Sequence, residues 1–213
     1  MKKFTLILIS VLLLSCETEE INEPYYNFSD SDLDKSLNLQ LNETIKFKNQ
    51  FNEYISYDIN EVSSDFMRSW SDGSWVISSW TILYFYYDEK IIILNSNSTD
   101  NFIKYKFNRL PINIEQAEKN RFTKFPSKFN SEVYFHLWNG IDDRGRIIID
   151  YEKETESKII NGKKYQNVIK IESGNNNPIN NNPSKNVNII YYDINYGIVG
   201  YDDLNNNKWR ITN

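Results

Sequence analysis

Residues 159–165 have the sequence Ile-Ile-Asn-Gly-Lys-Lys-Tyr, in which Asn161-Gly162 separates two short segments that favour strands. Asn-Gly is the dipeptide that two-residue β-hairpins prefer, because both central residues of that turn need a positive φ. The stretch therefore predicts a tight antiparallel hairpin. Turn residues also occur at Asp88-Glu89, between two apolar runs, and at Asn139-Gly140, after the segment 133–138. This spacing predicts a meander of antiparallel strands.

The hydrophobic pattern of the remaining chain mostly has a period of two, which is typical of half-buried strands. The alternation is clear in residues 37–41, 55–59 and 103–107. Four other runs are apolar at consecutive positions and predict strands that are covered on both faces. These runs are 80–87, 91–94, 147–149 and 189–192. We expect them to line either a closed core or a groove for an apolar ligand.

Helical segments are expected to be few and short. The pattern allows one near 115–121 and another near 65–70, and neither is long enough to cross between parallel strands. We therefore expect an all-β fold. Its main element would be a mainly antiparallel curved sheet, forming a half-barrel or a sandwich, with one or two short helices.

Composition limits the classes of function. The chain has 213 residues, 40% hydrophobic and 25% charged, which is enough apolar material for one folded domain with a substantial core. The formal net charge is −5. A nucleic-acid partner is not expected, because phosphate binding needs clustered Lys and Arg.

The N-terminus has the pattern of a signal peptide. Met1-Lys2-Lys3 is basic, and the apolar run 4–14 is about half of the ~20 residues that a transmembrane helix needs. Leu13-Leu14-Ser15-Cys16 follows and resembles the lipobox of bacterial lipoproteins. The resemblance implies that the peptide is cut before Cys16 and that acyl chains such as palmitate attach to this residue. Cys16 would then anchor the protein to the membrane.

The segment after Cys16 is acidic and contains few apolar residues. It predicts a solvated tether, and its first residues, Glu17-Thr18-Glu19-Glu20, resemble the surface-export signal of Bacteroidota lipoproteins. The outer membrane is the expected location, with the surface-exposed and periplasm-facing orientations both open. The expected organisation is residues 1–15 as signal peptide, 16–34 as lipidated Cys and tether, and 35–213 as one β domain. Asp30, Asp32 and Asp34 lack the Gly and Glu of a calcium loop and predict solvated charge.

The C-terminal third contains Tyr191-Tyr192-Asp193, Gly197-Ile198-Val199-Gly200-Tyr201 and Lys208-Trp209. This order resembles small lipoproteins of Bacteroidota and, more distantly, the LolA/LppX-type half-barrel lipoproteins and carriers. The resemblance implies a curved antiparallel sheet around an apolar groove. The residues themselves predict that Gly197 relieves a turn with positive φ.

Catalytic chemistry has few candidates. His136 is the only histidine and Cys16 the only cysteine, so a catalytic triad or a His/Cys metal site is not expected, and no cofactor is implied. A carboxylate pair, as in glycoside hydrolysis, stays open. The acidic residues near predicted strand ends are Asp142, Asp143, Asp150, Glu152, Asp202 and Asp203. The pattern Asp203, Asn205 and Asn207 predicts a hairpin turn.

Aromatic residues supply the candidate binding sites. Trp70, Trp75 and Trp80 are five residues apart, and in one continuous strand adjacent members would lie on opposite faces, so core packing and a turn are expected. Tyr134, His136 and Trp138 would share one face of the strand 133–138. The candidate ligand-binding residues are Trp80, Tyr84, Tyr86, Tyr134, His136 and Trp138.

These observations predict a monomeric, lipid-anchored, non-enzymatic envelope lipoprotein that binds an apolar ligand or acts as an envelope accessory protein. The alternatives are a cell-surface module for a protein or a glycan and, third, a carboxylate-dependent glycan hydrolase.

Overall fold

The computed structural model describes residues 23–75, 78–97, 101–120, 122–140, 145–179, 181 and 185–212. Of residues 70–75 and 78–83 it describes the backbone alone. Cys16 and the signal segment lie outside the described residues, as do Asp142 and Asp143.

The described chain forms mostly strands, with two short helices, α1 (Asp30–Lys35) and α2 (Ile114–Lys119). The strands are β1 (Tyr25–Tyr26), β2 (Thr44–Lys48), β3 (Tyr54–Trp75), β4 (Ser78–Ser96), β5 (Phe102–Pro111), β6 (Ser127–Phe135), β7 (Arg146–Ile148), β8 (Glu156–Ile160), β9 (Lys163–Glu172), β10 (Val187–Asp193), β11 (Gly197–Asp203) and β12 (Lys208–Thr212). They form one sheet in the order β7-β6-β5-β4-β3-β2-β12-β11-β10-β9-β8.

All neighbours in this order are antiparallel, and β1 adds to β4 in parallel. The sheet curls into a half-barrel, which confirms the expected all-β class. The Asn161-Gly162 hairpin is confirmed as well, because both residues have a positive φ, +47° and +82°, and Ile160 pairs with Lys163.

One of the predicted turns is wrong. Asp88-Glu89 lies inside β4 and forms no turn. The Asp88 carboxylate accepts hydrogen bonds from the Tyr25 hydroxyl and the Phe28 amide. Asn139-Gly140 lies in the connection between β6 and β7, which pair antiparallel as a meander requires. The buried side chain of Asn139 donates to the carbonyls of Asn175 and Asn177, so it fixes a later loop.

Three predictions of local structure also need correction. Residues 65–70 belong to β3 and not to a helix, because they pair along their length with β4. Residues 37–41 are not a strand, and Leu37 has a φ of +48° and is buried in the core. The strand expected over 133–138 ends at Phe135, and His136 lies in a turn.

The concave side of the half-barrel is filled by its own side chains. One buried cluster joins residues of nearly every strand from β2 to β12. Ile92, Tyr105 and Phe135 at its centre are at most 1% exposed. The segment after α1 packs Leu37 into the same cluster. The inward residues therefore form a closed core within the described part of the chain.

The strands that are apolar on both faces have a second cover on the convex side. For β10, the other face joins Tyr191 to a cluster with Ile160 and Tyr165 from the β8–β9 hairpin. For β4, Phe85 packs with Tyr26 of β1 and Ala117 of α2. The run 147–149 is different: Ile148 is 62% exposed, so the expectation of cover on both faces is wrong there.

The N-terminal described residues pack on the sheet. Tyr26 is 1% exposed, and Asp32 in α1 is buried and forms an ion pair with Arg109 of β5. The expected solvated tether therefore does not extend through Tyr25–Tyr26 and α1. The pairing of β1 and the Asp32–Arg109 contact give these residues partners that local composition does not reveal.

The hairpin of β3 and β4 is longer than the strands beside it. β2 pairs with β3 over residues 54–58, and β5 pairs with β4 over residues 89–95. Past β2, β3 and β4 pair with each other from Ser64 and Lys90 to Trp75 and Ser78, and β5 overlaps this stretch only at Glu89 and Lys90. We call residues 64–75 and 78–90 the β3–β4 ribbon. Its length is about 40 Å at roughly 3.4 Å per residue.

Candidate functional site

An aromatic cluster lies at the base of the β3–β4 ribbon. The Phe66 ring stacks on Tyr86, with centroids 4.5 Å apart and an interplanar angle of 18°. Tyr25 contacts Phe66 edge to face at 5.3 Å. The register explains the contact: Arg68 and Tyr25 are both paired with Tyr86, and alternate residues of neighbouring strands share a face.

This cluster is more exposed than the rest of the aromatic core. Phe66 is 52% exposed and Tyr25 is 40% exposed. The Arg68 guanidinium lies 5.7 Å from the centroid of the Tyr86 ring, in the position of a cation–π contact. The base of the ribbon thus presents stacked rings beside a cation to solvent.

A cleft of about 390 Å³ opens beside these rings. Phe28 and Leu33, from the segment around α1, form one wall. The ribbon forms the other wall, with Phe66 and the neighbouring residues Ser64, Asp65, Asp88, Glu89 and Lys90. This volume falls in the range of small-molecule sites, and an apolar wall with a few polar groups is the usual composition of such sites.

Two charged groups of the cleft are held by the protein itself. Asp88 accepts from the Tyr25 hydroxyl and from the Phe28 amide, and the hydrogen bond to Asp88, with burial and the carboxylate charge, raises the pKa of Tyr25 to about 12. Lys90 Nζ donates to the Leu37 carbonyl at 2.7 Å and to Ser36 Oγ at 3.4 Å. Burial lowers the pKa of Lys90. These contacts fix the cleft floor.

Glu89 faces away from Asp88 along the strand and pairs with Lys106 at 2.8 Å. Among the polar residues that line the cleft, Ser64 and Asp65 are exposed. The Arg68 guanidinium is not part of the lining and lies over the neighbouring Tyr86 ring. The cleft therefore combines an aromatic surface with an exposed hydroxyl and an exposed carboxylate, and a cation lies beside the aromatic cluster. This arrangement suits a ligand that has an apolar face and hydroxyl groups around it.

The residues proposed from the sequence do not form one site. Tyr86 belongs to the aromatic cluster, whereas Tyr84 packs with the convex cluster around Phe85. Trp80 lies in β4, at a position where only the backbone is described.

Tyr134, His136 and Trp138 are also separated from one another. The Tyr134 hydroxyl donates to Glu132 on the face of β6 opposite the buried Val133 and Phe135. His136 is exposed in the turn after β6, and its ring lies 5.6 Å from that of Phe102. Trp138 is buried in the main core. The expectation that the three share one strand face is wrong, because the strand ends before His136.

Tyr25, Phe28, Leu33 and Phe66 were missed by the sequence reasoning. The first three lie in the segment expected to be a solvated tether, and Phe66 lies in the expected helix 65–70. One signal was present: Tyr25-Tyr26 and Phe28 interrupt an otherwise acidic stretch with aromatic residues. Three aromatic residues within four positions favour a segment that packs on the domain over a solvated tether.

Three of the described carboxylates near strand ends, Asp150, Asp202 and Asp203, have structural partners. Asp150 accepts from the Glu152 amide. Asp202 accepts from Arg210 and Tyr191, and Asp203 accepts from the amides of Asn205 and Asn207, as expected for a hairpin turn. No three His, Cys, Asp or Glu side chains lie together as a metal site among the residues whose positions are described.

A second, more polar cleft of about 330 Å³ lies between the segment before β8 and strand β9. Its lining includes Lys153, Glu156 and Lys170, with Val168 as its apolar residue. It lacks an aromatic surface, so the cleft at the ribbon base is the stronger candidate.

Comparisons of the chain with protein families, with curated proteins and with solved structures give no match. Over the described residues, no helix has the length and apolar character that crossing a membrane requires.

Proposed function

We propose that this protein is a lipid-anchored, non-enzymatic lipoprotein of the bacterial outer membrane and that it binds a glycan in the cleft at the base of the β3–β4 ribbon. The lipobox-like sequence at Cys16 supports the anchor. The curled antiparallel half-barrel is consistent with the fold that the resemblance to LolA-type half-barrels implies.

The observation that carries the ligand class is the half-exposed ring of Phe66 stacked on Tyr86, with Asp65 in the cleft lining and the Arg68 guanidinium over the Tyr86 ring. The C–H groups on one face of a sugar ring pack against an aromatic ring. Carboxylate and guanidinium groups at the edge accept from and donate to its hydroxyls. The cleft volume suits one or two sugar units.

The filled interior favours a surface ligand over an apolar ligand carried inside the half-barrel. The inward residues Ile92, Tyr105 and Phe135 are at most 1% exposed, which leaves no groove along them. The engagement of Asp202 and Asp203 in structural hydrogen bonds supports a binding function over glycan hydrolysis.

Glycan binding can be tested with the purified chain and a panel of bacterial envelope glycans, measured by calorimetry. Phe66→Ala should weaken binding by roughly tenfold or more, because a lost ring contact of about 1.4 kcal/mol corresponds to tenfold. Ile159→Ala is the matched control, since Ile159 is 73% exposed on β8 at the far edge of the sheet. Equal affinities of the Phe66 and Ile159 variants, or no glycan bound by the wild type, would reject the proposal.

The anchor is tested separately in cells. Cys16→Ser should move the protein from the membrane fraction to the soluble fraction, and protease treatment of intact cells should report which leaflet the wild type faces. A Cys16→Ser chain that stays in the membrane fraction, with wild type unprocessed, would overturn the lipoprotein assignment.

A further inference from the structure

The direction of β1 determines where the N-terminal chain leaves the domain. Tyr25 pairs with Tyr86 and Tyr26 with Tyr87 in parallel, and the Pro24 carbonyl accepts from the Tyr86 amide at 2.9 Å. Strand β4 runs from the ribbon end at Ser78 towards the main sheet. Because β1 runs the same way, the chain before Tyr25 comes from the direction of the ribbon end.

The length of strand from the ribbon end to Tyr86 is similar to the reach of the chain between Cys16 and Tyr25. The eight residue steps from Ser78 to Tyr86 span about 27 Å of strand. The nine steps from Cys16 to Tyr25 reach at most about 30 Å when extended. A membrane that holds acyl chains on Cys16 is therefore within reach of the ribbon end.

The composition of the ribbon changes along its length. Residues 70–83 include Trp70, Trp75 and Trp80, and Asp72 is their single charged residue. The base of the ribbon contains charged residues on both strands, among them Asp65, Arg68, Asp88 and Glu89. An isolated two-stranded ribbon is marginally stable in water, so an end that carries three tryptophans and one charge is stabilised by a surface that it can contact.

We propose that the end of the ribbon, residues 70–75 and 78–83, contacts the interfacial layer of the same membrane that holds the lipid on Cys16. This inference rests on the lipid anchor of the proposed function. Tryptophan is the residue that favours the boundary between lipid headgroups and acyl chains. Two attachments, the acyl chains and the ribbon end, would hold the domain in one orientation, with the glycan cleft at the ribbon base turned away from the lipid.

The membrane contact can be measured without the lipid anchor. The Cys16→Ser chain is produced without the signal segment 1–15, so that no apolar leader binds lipid, and is mixed with vesicles of phosphatidylethanolamine and phosphatidylglycerol (three to one). Binding is followed by flotation and tryptophan emission. The remaining tryptophans, Trp138 and Trp209, are both buried in the core. A blue shift on adding vesicles would therefore come from the three in the ribbon.

Two further variants test the position of the contact. Trp75→Ser combined with Trp80→Ser should weaken vesicle partitioning by roughly tenfold or more and abolish the blue shift. Ile159→Ser removes an exposed apolar side chain far from the ribbon and should partition as the unsubstituted chain does. Circular dichroism melting of each variant checks that the fold is kept.

Three results would overturn the inference. They are no partitioning of the Cys16→Ser chain, equal partitioning of the double tryptophan variant, and a dimer in sedimentation that the double variant removes while vesicles have no effect. The last result would make the ribbon end a contact between two copies. Since vesicle binding is measured without the acyl chains, its failure is separate from a failure of the Cys16 anchor in cells.

Discussion

The carboxylate of Asp32 on α1 accepts a hydrogen bond from the guanidinium of Arg109 on β5, 77 residues later in the chain. The same carboxylate accepts from the Ser29 amide at 2.8 Å, and Arg109 Nε donates to Ser127 Oγ at 3.0 Å. A six-residue helix is too short to be stable alone. This pair therefore holds α1, and with it the Leu33 wall of the cleft, on the sheet.

Removing the Asp32 carboxylate should destabilise the folded protein. Asp32→Ala leaves the partly buried guanidinium without its anion and the Ser29 amide without its acceptor, so we expect the free energy of unfolding to fall by about 2–4 kcal/mol. Urea denaturation measures it. The exposed pair Glu115–Lys119 is the control, and Glu115→Ala should cost less than about 1 kcal/mol. Similar losses in the two variants would contradict the structural role of Asp32.

Removing either of two buried tyrosine hydroxyls should have a different effect on the stability of the protein. The Tyr105 hydroxyl accepts from the Ile198 amide at 3.2 Å, so Tyr105→Phe leaves a buried N–H unpaired and should lower stability by about 1–3 kcal/mol. The Tyr201 hydroxyl is buried beside the Tyr57 hydroxyl, and neither makes a hydrogen bond of normal geometry with a described residue. Tyr201→Phe should therefore leave stability unchanged or raise it. Thermal unfolding of both variants tests this, and a larger loss for Tyr201→Phe would refute it.

Two glycines with positive φ form a second matched pair. Gly197 has a φ of +74°, and a Cβ there would lie 2.9 Å from the Tyr105 hydroxyl and 3.0 Å from Leu37 Cδ1. Gly174 has a φ of +68° with no atom within 4 Å of the added Cβ. Both alanine variants carry the cost of backbone strain, about 1 kcal/mol, and Gly197→Ala adds a steric clash in the core. Its melting temperature should fall further than that of Gly174→Ala.

The change in stability at acid pH should depend on Glu132. Burial alone would raise the pKa of Glu132, but the hydrogen bonds from Arg146 and Tyr134 outweigh it and lower the pKa below its usual value. The stabilisation is therefore present above the unfolded pKa of ~4.3 and is lost as pH falls through the lower folded pKa.

The matching experiment compares wild type and Glu132→Gln by denaturation from pH 7 to pH 3. Their difference in unfolding free energy should be largest near neutral pH and shrink below about pH 4. Tyr134→Phe removes one of the two donors and should reduce the difference in part. A constant difference across this range would show that the charge of Glu132 does not contribute.

Much of the sheet follows from short-range chemistry. The alternation of 103–107 places Ile103, Tyr105 and Phe107 inside, with Lys104 and Lys106 at least partly exposed, because successive side chains of a strand point to opposite faces. The Asn161-Gly162 turn and the positive φ of Gly197 are also local consequences, since few residues other than Gly and Asn adopt that conformation readily.

Local sequence patterns do not predict the candidate site. Asp88 looks like a turn residue until Tyr25 and Phe28, 60 or more positions earlier, are seen to donate to it. Phe66 and Tyr86 become neighbours only through the pairing of β3 with β4. A strand pattern specifies which side chains share a face, but it does not specify which distant segment covers that face.

By itself, then, the sequence determined the class of fold, the hairpin at Asn161-Gly162 and the inward faces of strands such as β5, because these depend on backbone conformation and on burial with a period of two. The tertiary structure alone decided that β1 and α1 pack on the sheet, that β3 and β4 extend as a ribbon, and that Phe66 lines a cleft. Those features depend on pairing and ion contacts between residues far apart in the chain, where local preference has no influence on the choice of partner.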